Sequence, residues 1–232
     1  MKNILLIGGS YGIGLAIAKE LQFENNVYIA SRSNENLVDV KATHIAFDAT
    51  TDTIDTSQLP AVIDGLVYCP GSINLRPFKG LKPEAFETDL QINFISLVKV
   101  IQSVLPNLSA SEQASIVAFS SVAATMGMPF HASVAASKGE IEGFAKALAA
   151  EYAPKIRVNV IAPSLTDTPL ADKFLNNETK QEKSAERHPL KRFGKPEDSA
   201  QMATFLLSDK SSWISGQIFH VDGGMSTLLV NG

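Results

Sequence analysis

Ile4-Leu5-Leu6-Ile7-Gly8-Gly9-Ser10-Tyr11-Gly12-Ile13-Gly14 takes the chain from an apolar run into a glycine-spaced turn, and Leu15-Ala16-Ile17-Ala18-Lys19-Glu20-Leu21 continues it as an amphipathic stretch. This order predicts a buried strand, a sharp turn and the start of a helix. The glycines let the backbone turn tightly and keep side chains out of the space beside it. The helix N-terminus then offers free N–H groups and a partial positive charge. A phosphate is therefore expected against Gly8, Ser10, Tyr11, Gly12, Ile13 and Gly14. A glycine-rich turn alone also serves ordinary bends. Its place between strand and helix is what points to a nucleotide.

Outward from that turn, apolar runs at 27–30, 43–47, 66–69, 116–119, 156–161 and 217–221 read as further buried strands. Helical spacing occupies 83–108, 139–152 and 196–207, while 50–60 is polar and short enough to stunt any helix. Strand and helix alternate from end to end, with no internal repeat, low-complexity tract or linker. The fold class expected is α/β: a single-domain Rossmann fold spanning 1–232, with a doubly wound parallel sheet and helices on both faces. Residues 171–192 are charged and lack an apolar stripe, so the segment at about 164–195 is expected to form a lid over a substrate.

Several positions in this frame carry chemistry. The second strand ends at Ser31-Arg32, where dinucleotide folds place an acid that binds a ribose 2′-hydroxyl. A hydroxyl and a guanidinium there suit a 2′-phosphate instead, so the cofactor expected is NADP(H). Asp48 closes the third strand and can accept from an adenine amine, or cap Thr51 or a following turn. Pro70-Gly71 breaks the fourth strand and lets backbone approach a ligand. Asn93 lies in an apolar helix and must find partners, either in packing or in a site. Cys69 reads as a small strand residue and not as a nucleophile.

The chain has 232 residues, 45% hydrophobic and 19% charged, with a net charge of −4. Its pI near 5.6 gives no support to binding of nucleic acid or an anionic membrane. A single cysteine fits a reducing compartment. No apolar run suggests a membrane span, and Met1-Lys2-Asn3 leads straight into a strand, so a cytoplasmic protein without a signal peptide is expected. His188 and His220 stand apart from other ligand types, and no metal site is expected. The helices at 83–108 and 139–152 carry more apolar residues than one core face needs, including Phe94, Leu97, Phe144, Leu148 and Ala149. A homo-oligomer is expected from that surplus.

Taken together, Gly8-x-x-x-Gly12-Ile13-Gly14, Asp48, Asn93, Ser121, Ser137-Lys138, Asn159 with Pro163 and Thr168, Arg192-x-Gly194-x-Pro196-Glu197-Asp198, Gly216-Gln217 and Val221-Asp222-Gly223-Gly224 make the chain resemble the short-chain dehydrogenase/reductase family over nearly its whole length. The resemblance implies hydride exchange between NADP(H) and a carbonyl or hydroxyl of a small-molecule substrate. It implies that Pro163, Thr166 and Thr168 border the cofactor, and that the protein forms a dimer or tetramer. In the family a tyrosine moves the proton at the substrate oxygen. A serine (here Ser121) holds that oxygen, a lysine (Lys138) lowers the tyrosine pKa and grips the nicotinamide ribose, and an asparagine (Asn93) anchors a water chain.

The tyrosine position, four before Lys138, is Val134, and no tyrosine lies between Tyr68 and Tyr152. Valine has no proton to give. Tyr68-Cys69-Pro70-Gly71 also departs from the usual Asn-Asn-Ala-Gly, and Ser164 replaces a glycine after Pro163. Three readings follow. The chain is an NADP(H)-dependent oxidoreductase with an atypical proton donor: His131, Lys138, or a water held by Lys138 and Asn93. Or it resembles the enoyl-thioester reductases of the superfamily. Or it binds NADP(H) without chemistry, as a sensor or assembly protein. Retention of Lys138, Ser121 and Asn93 together favours the enzyme readings.

Overall fold

A computed structural model describes residues 1–230. Seven strands form one sheet: β1 (Lys2–Ile7), β2 (Asn25–Ser31), β3 (Thr43–Ala46), β4 (Gly65–Tyr68), β5 (Ala114–Phe119), β6 (Ile156–Pro163) and β7 (Ile218–Val221). Their order is β3-β2-β1-β4-β5-β6-β7, and every neighbouring pair is parallel. The helices are α1 (Gly12–Leu21), α2 (Pro83–Leu90), α3 (Ser96–Ser109), α4 (Ala132–Tyr152), α5 (Asp172–Leu175), α6 (Glu178–Arg187) and α7 (Pro196–Leu207). This is the doubly wound Rossmann arrangement expected from the alternation.

A parallel sheet covered on both faces needs strands that are apolar at every position, and β1 shows why. Leu5 and Ile7 join one core with α3 and α4, while Ile4 and Leu6 join the other with α1 and α7. Each buried Leu or Ile contributes about 1.5–3 kcal/mol, so the opening run holds both layers to the sheet.

Three features depart from the sequence reading. Helix α4 starts at Ala132, seven residues before the expected start at 139. Its first two turns, Ala132-Ser133-Val134-Ala135-Ala136-Ser137-Lys138, are mostly Ala and Ser, which show no apolar stripe. Second, α2 and α3 are joined by a π turn, Gln91–Ile95, into a rod of 27 residues, Pro83–Ser109. By length and composition that rod is apolar enough to cross a bilayer, contrary to the expectation that no run would be. Its Leu97, Val100, Ile101, Val104 and Leu108 are buried in the core beneath the sheet. Third, the expected apolar surplus is largely consumed within the chain. Leu97 and Ala149 are buried, and Phe94, Phe144 and Leu148 pack against the core. The Phe94 and Phe144 rings meet edge to face at 5.5 Å.

Candidate active site

A cavity of about 840 Å³ opens where β1, β2, β4, β5 and β6 end, the crevice that open α/β sheets use for ligands. At its floor the backbone of the opening turn is fixed by close approach. Gly8 and Gly12 adopt left-handed φ values of 76° and 52°, which only glycine takes without strain. A Cβ on Gly14 would collide with the Gly8 carbonyl oxygen. Gly12 sits beneath the Thr168 methyl, 3.1 Å from where its own Cβ would lie. Ser10, Tyr11 and Ile13 complete the cradle, and Pro70 and Gly71 form its opposite wall. The cradle fits a pyrophosphate: backbone N–H groups, no side chains in the way, and the N-terminus of α1 behind.

Arg32 lines the cavity beyond β2 and accepts or donates no hydrogen bond among the described residues, so its guanidinium is free for an anion. Ser31 lines it too, but its hydroxyl donates to the Ser33 carbonyl at 2.8 Å and lies 3.1 Å from His44 Nε2. Asp48 caps the next turn: Oδ1 accepts the Thr50 N–H (2.9 Å) and hydroxyl (2.6 Å). Those bonds, chiefly the hydroxyl, hold its pKa below the usual carboxylate range, with help from Arg32. The cap is made to Thr50. Pro163, Thr166 and Thr168 follow β6 along the cavity, with Thr166 paired to Gly194 so that the two ends of the 166–194 segment are tied together.

At the chemical end, Ser121, His131, Val134 and Lys138 share the cavity wall. Lys138 is 7% exposed, and its Nζ donates to the Phe119 carbonyl at 2.8 Å. Burial pulls its pKa down to about 8, against the opposing influence of Cys69 and Asp89. Ser121 caps the turn at Val122–Ala124, its Oγ accepting the Ala123 N–H at 3.2 Å. That leaves its O–H free to donate. Burial pushes the Cys69 thiol up to about 12, so it is no nucleophile at neutral pH. Val134 is buried and offers only methyl groups.

His131 is the N-cap residue of α4 and follows Phe130, whose φ of 71° is a strained conformation for a bulky residue. The strained loop is held by the Arg76 N–H on the Phe130 carbonyl, 3.1 Å. His131 Nδ1 lies 2.7 Å from the Pro129 carbonyl. That nitrogen must carry its proton, so in the neutral ring Nε2 can only accept.

Asn93 is not in the cavity wall but directly behind it, fully buried in the π turn. Its Oδ1 accepts the Ser72 N–H (3.2 Å), and its Nδ2 donates to Ser72 Oγ (2.9 Å) and Ser137 Oγ (3.0 Å). Gly71 sits between Asn93 and Lys138: a Cβ there would stand 3.2 Å from Asn93 Oδ1 and 3.3 Å from Lys138 Nζ. The structure adds Asp89, which accepts the Ser72 hydroxyl at 2.6 Å and is buried beside this network. It adds Tyr68 as well, whose hydroxyl donates to the Ile92 carbonyl of the π turn at 2.7 Å. Neither role has a local signal, since each joins residues about twenty apart. His188 links α6 to the end of β6 through Ser184 O (2.7 Å) and Ser164 Oγ (2.8 Å). His220 reaches Thr125 at the surface. No group of three metal-ligating side chains occurs among the described residues.

A family model described as enoyl-(acyl carrier protein) reductase matches residues 8–226. The 3-oxoacyl-[acyl-carrier-protein] reductase FabG of Thermotoga maritima is 32% identical, over 97% of this chain and 97% of its own. A tropinone reductase homolog of Datura stramonium is 33% identical over 98% of this chain and 92% of its own. Among solved structures, the ligand-free aldohexose dehydrogenase of Thermoplasma acidophilum superposes with a TM-score of 0.87 at 27% identity, covering all of this chain and 96% of that one.

Proposed function

Because this chain belongs to the short-chain dehydrogenase/reductase family of oxidoreductases, we propose that it interconverts a carbonyl and a hydroxyl using NADP(H), with Lys138 in place of the missing tyrosine as the proton-bearing group. One observation carries this reading. The Lys138 ammonium stands in the cavity wall with a pKa drawn down to about 8, and the residue four before it, lining the same wall, is a valine. An acid with a pKa close to the working pH is suited to general acid–base work. When bound, the reduced nicotinamide supplies the hydride to the carbonyl carbon.

The chain's own residues do the rest. The Ser121 O–H donates to the substrate oxygen, while its Oγ stays anchored on the Ala123 N–H. Lys138 neutralises the developing alkoxide by handing over a proton from Nζ, and the Phe119 carbonyl fixes where that nitrogen sits. Asn93, Ser72 and Ser137 lock the wall behind Lys138.

The cofactor preference rests on Arg32 at the end of β2. NADPH should bind more tightly than NADH, and Arg32→Ala should weaken NADPH by about 10- to 100-fold, the value of a charge-assisted hydrogen bond, while leaving NADH nearly unchanged. Calorimetric titration of both nucleotides reads this directly. Equal affinity of the unaltered protein for the two contradicts it. The reading includes self-association as a dimer or tetramer, common in the family; Trp213 and Leu229, 99% and 94% exposed, supply apolar surface that the core leaves uncovered.

A further inference from the structure

Helix α6 separates its charges. Lys180, Lys183 and Arg187 border the cavity, whereas Glu178, Glu182 and Glu186 do not. At 100° per residue the three cations fall within one sector of about 60° around the axis and the three acids in a separate one of about 80°. The face is set by packing, not by chance exposure. Ser184, between the cations, is buried, and His188 just beyond the helix ties it to Ser164 at the end of β6.

Lys180 is partly occupied, its Nζ donating to the Lys173 carbonyl (2.7 Å) and Asn176 Oδ1 (2.8 Å). Lys183 and Arg187 make no hydrogen bond or ion pair among the described residues, and they stand one turn apart. Among the described residues the cavity is lined by six cationic side chains and one carboxylate, Asp48, in a chain whose net charge is −4. A cofactor phosphate at Arg32 does not account for the α6 pair. Arg32 follows β2, and α6 is tied to β6, four strand spacings or about 19 Å away across the sheet.

We propose that Lys183 and Arg187 bind a compact oxyanion on the substrate, so that the preferred substrates are carbonyl or hydroxyl compounds bearing a carboxylate or a phosphate. This deepens the assignment above and rests on it for the reacting carbonyl. Two free cations one turn apart match the two-point recognition of such a group, and closing the lid over it would remove competing water.

The test uses pairs of probes that differ in charge: acetoacetate against its methyl ester, and acetoacetyl-pantetheine phosphate against acetoacetyl-pantetheine. Binding of each to the protein–NADP⁺ complex is measured by calorimetry, and KM for NADPH-dependent reduction is measured alongside. The charged member of at least one pair should bind about tenfold or more tightly, and the responding pair tells carboxylate from phosphate. Lys183→Gln and Arg187→Gln should each remove most of that advantage while leaving the neutral probe and NADPH affinity unchanged. Equal affinity within both pairs would overturn the proposal. So would a loss of NADPH affinity in the Gln variants, which would assign these cations to the cofactor. Since binding is read apart from turnover, failure of the reduction itself strikes the assigned reaction and not the anion site.

Discussion

Lys138 is held in a place that costs stability. An ammonium 7% exposed with a pKa of about 8 is charged at neutral pH in both folded and unfolded chains, but it is solvated only in the unfolded one. Between about pH 8 and pH 10 the unfolded chain keeps its proton on this lysine and the folded chain does not, so this group's stability term rises with pH across that window. Lys138→Met should therefore stabilise the ligand-free protein at pH 7, on the order of 2 kcal/mol, and the advantage should shrink as the pH is raised to 10. The same variant should have no turnover. Urea unfolding at the two pH values checks the first part; a less stable variant at pH 7 would refute it. At this scale the sequence was informative where an atom is missing: Val134 in the tyrosine position is plain from spacing to Lys138. It left three candidates open, His131, Lys138 and a held water, because the Lys138 environment is built by Phe119, Gly71 and Cys69, which are distant in the chain.

The elements that position the site were legible in proportion to how far their cause is local. The β1–turn–α1 unit carries its reasons in consecutive residues, and its glycines sit at the φ values and close approaches that spacing suggests. The π turn at Gln91–Ile95 has no such signature. It exists because the helix must widen to bring Asn93 behind Lys138 while Tyr68, 24 residues earlier, takes the Ile92 carbonyl, and π turns recur at functional sites for this reason. Tyr68→Phe removes that bond to a partly buried carbonyl, which should cost about 1 kcal/mol. The loss should also show in function, with kcat falling while NADPH affinity holds, as Asn93 loses its register. An unchanged unfolding midpoint would contradict this account of the turn. The early start of α4 escaped the sequence reading for a related reason: small residues pack a helix closely against its neighbours but leave no apolar rhythm to read.

Over the whole molecule, strand alternation revealed the sheet and the cavity at its carboxyl edge follows from that topology. Net charge and local charge differ: a mildly acidic protein concentrates cations around one cavity, at Arg32, Lys138 and along α6. The claim on which the rest depends is that this intact cavity, lacking a phenol, still moves a proton through Lys138. The pH dependence of NADPH-dependent carbonyl reduction tests it most directly, in the unaltered protein and in His131→Ala. Reduction requires the protonated ammonium, so the rate should be level below about pH 8 and fall about tenfold per unit above it, with the same profile in both proteins. A rate that instead drops a hundredfold or more in His131→Ala would transfer the proton to His131 and contradict the account.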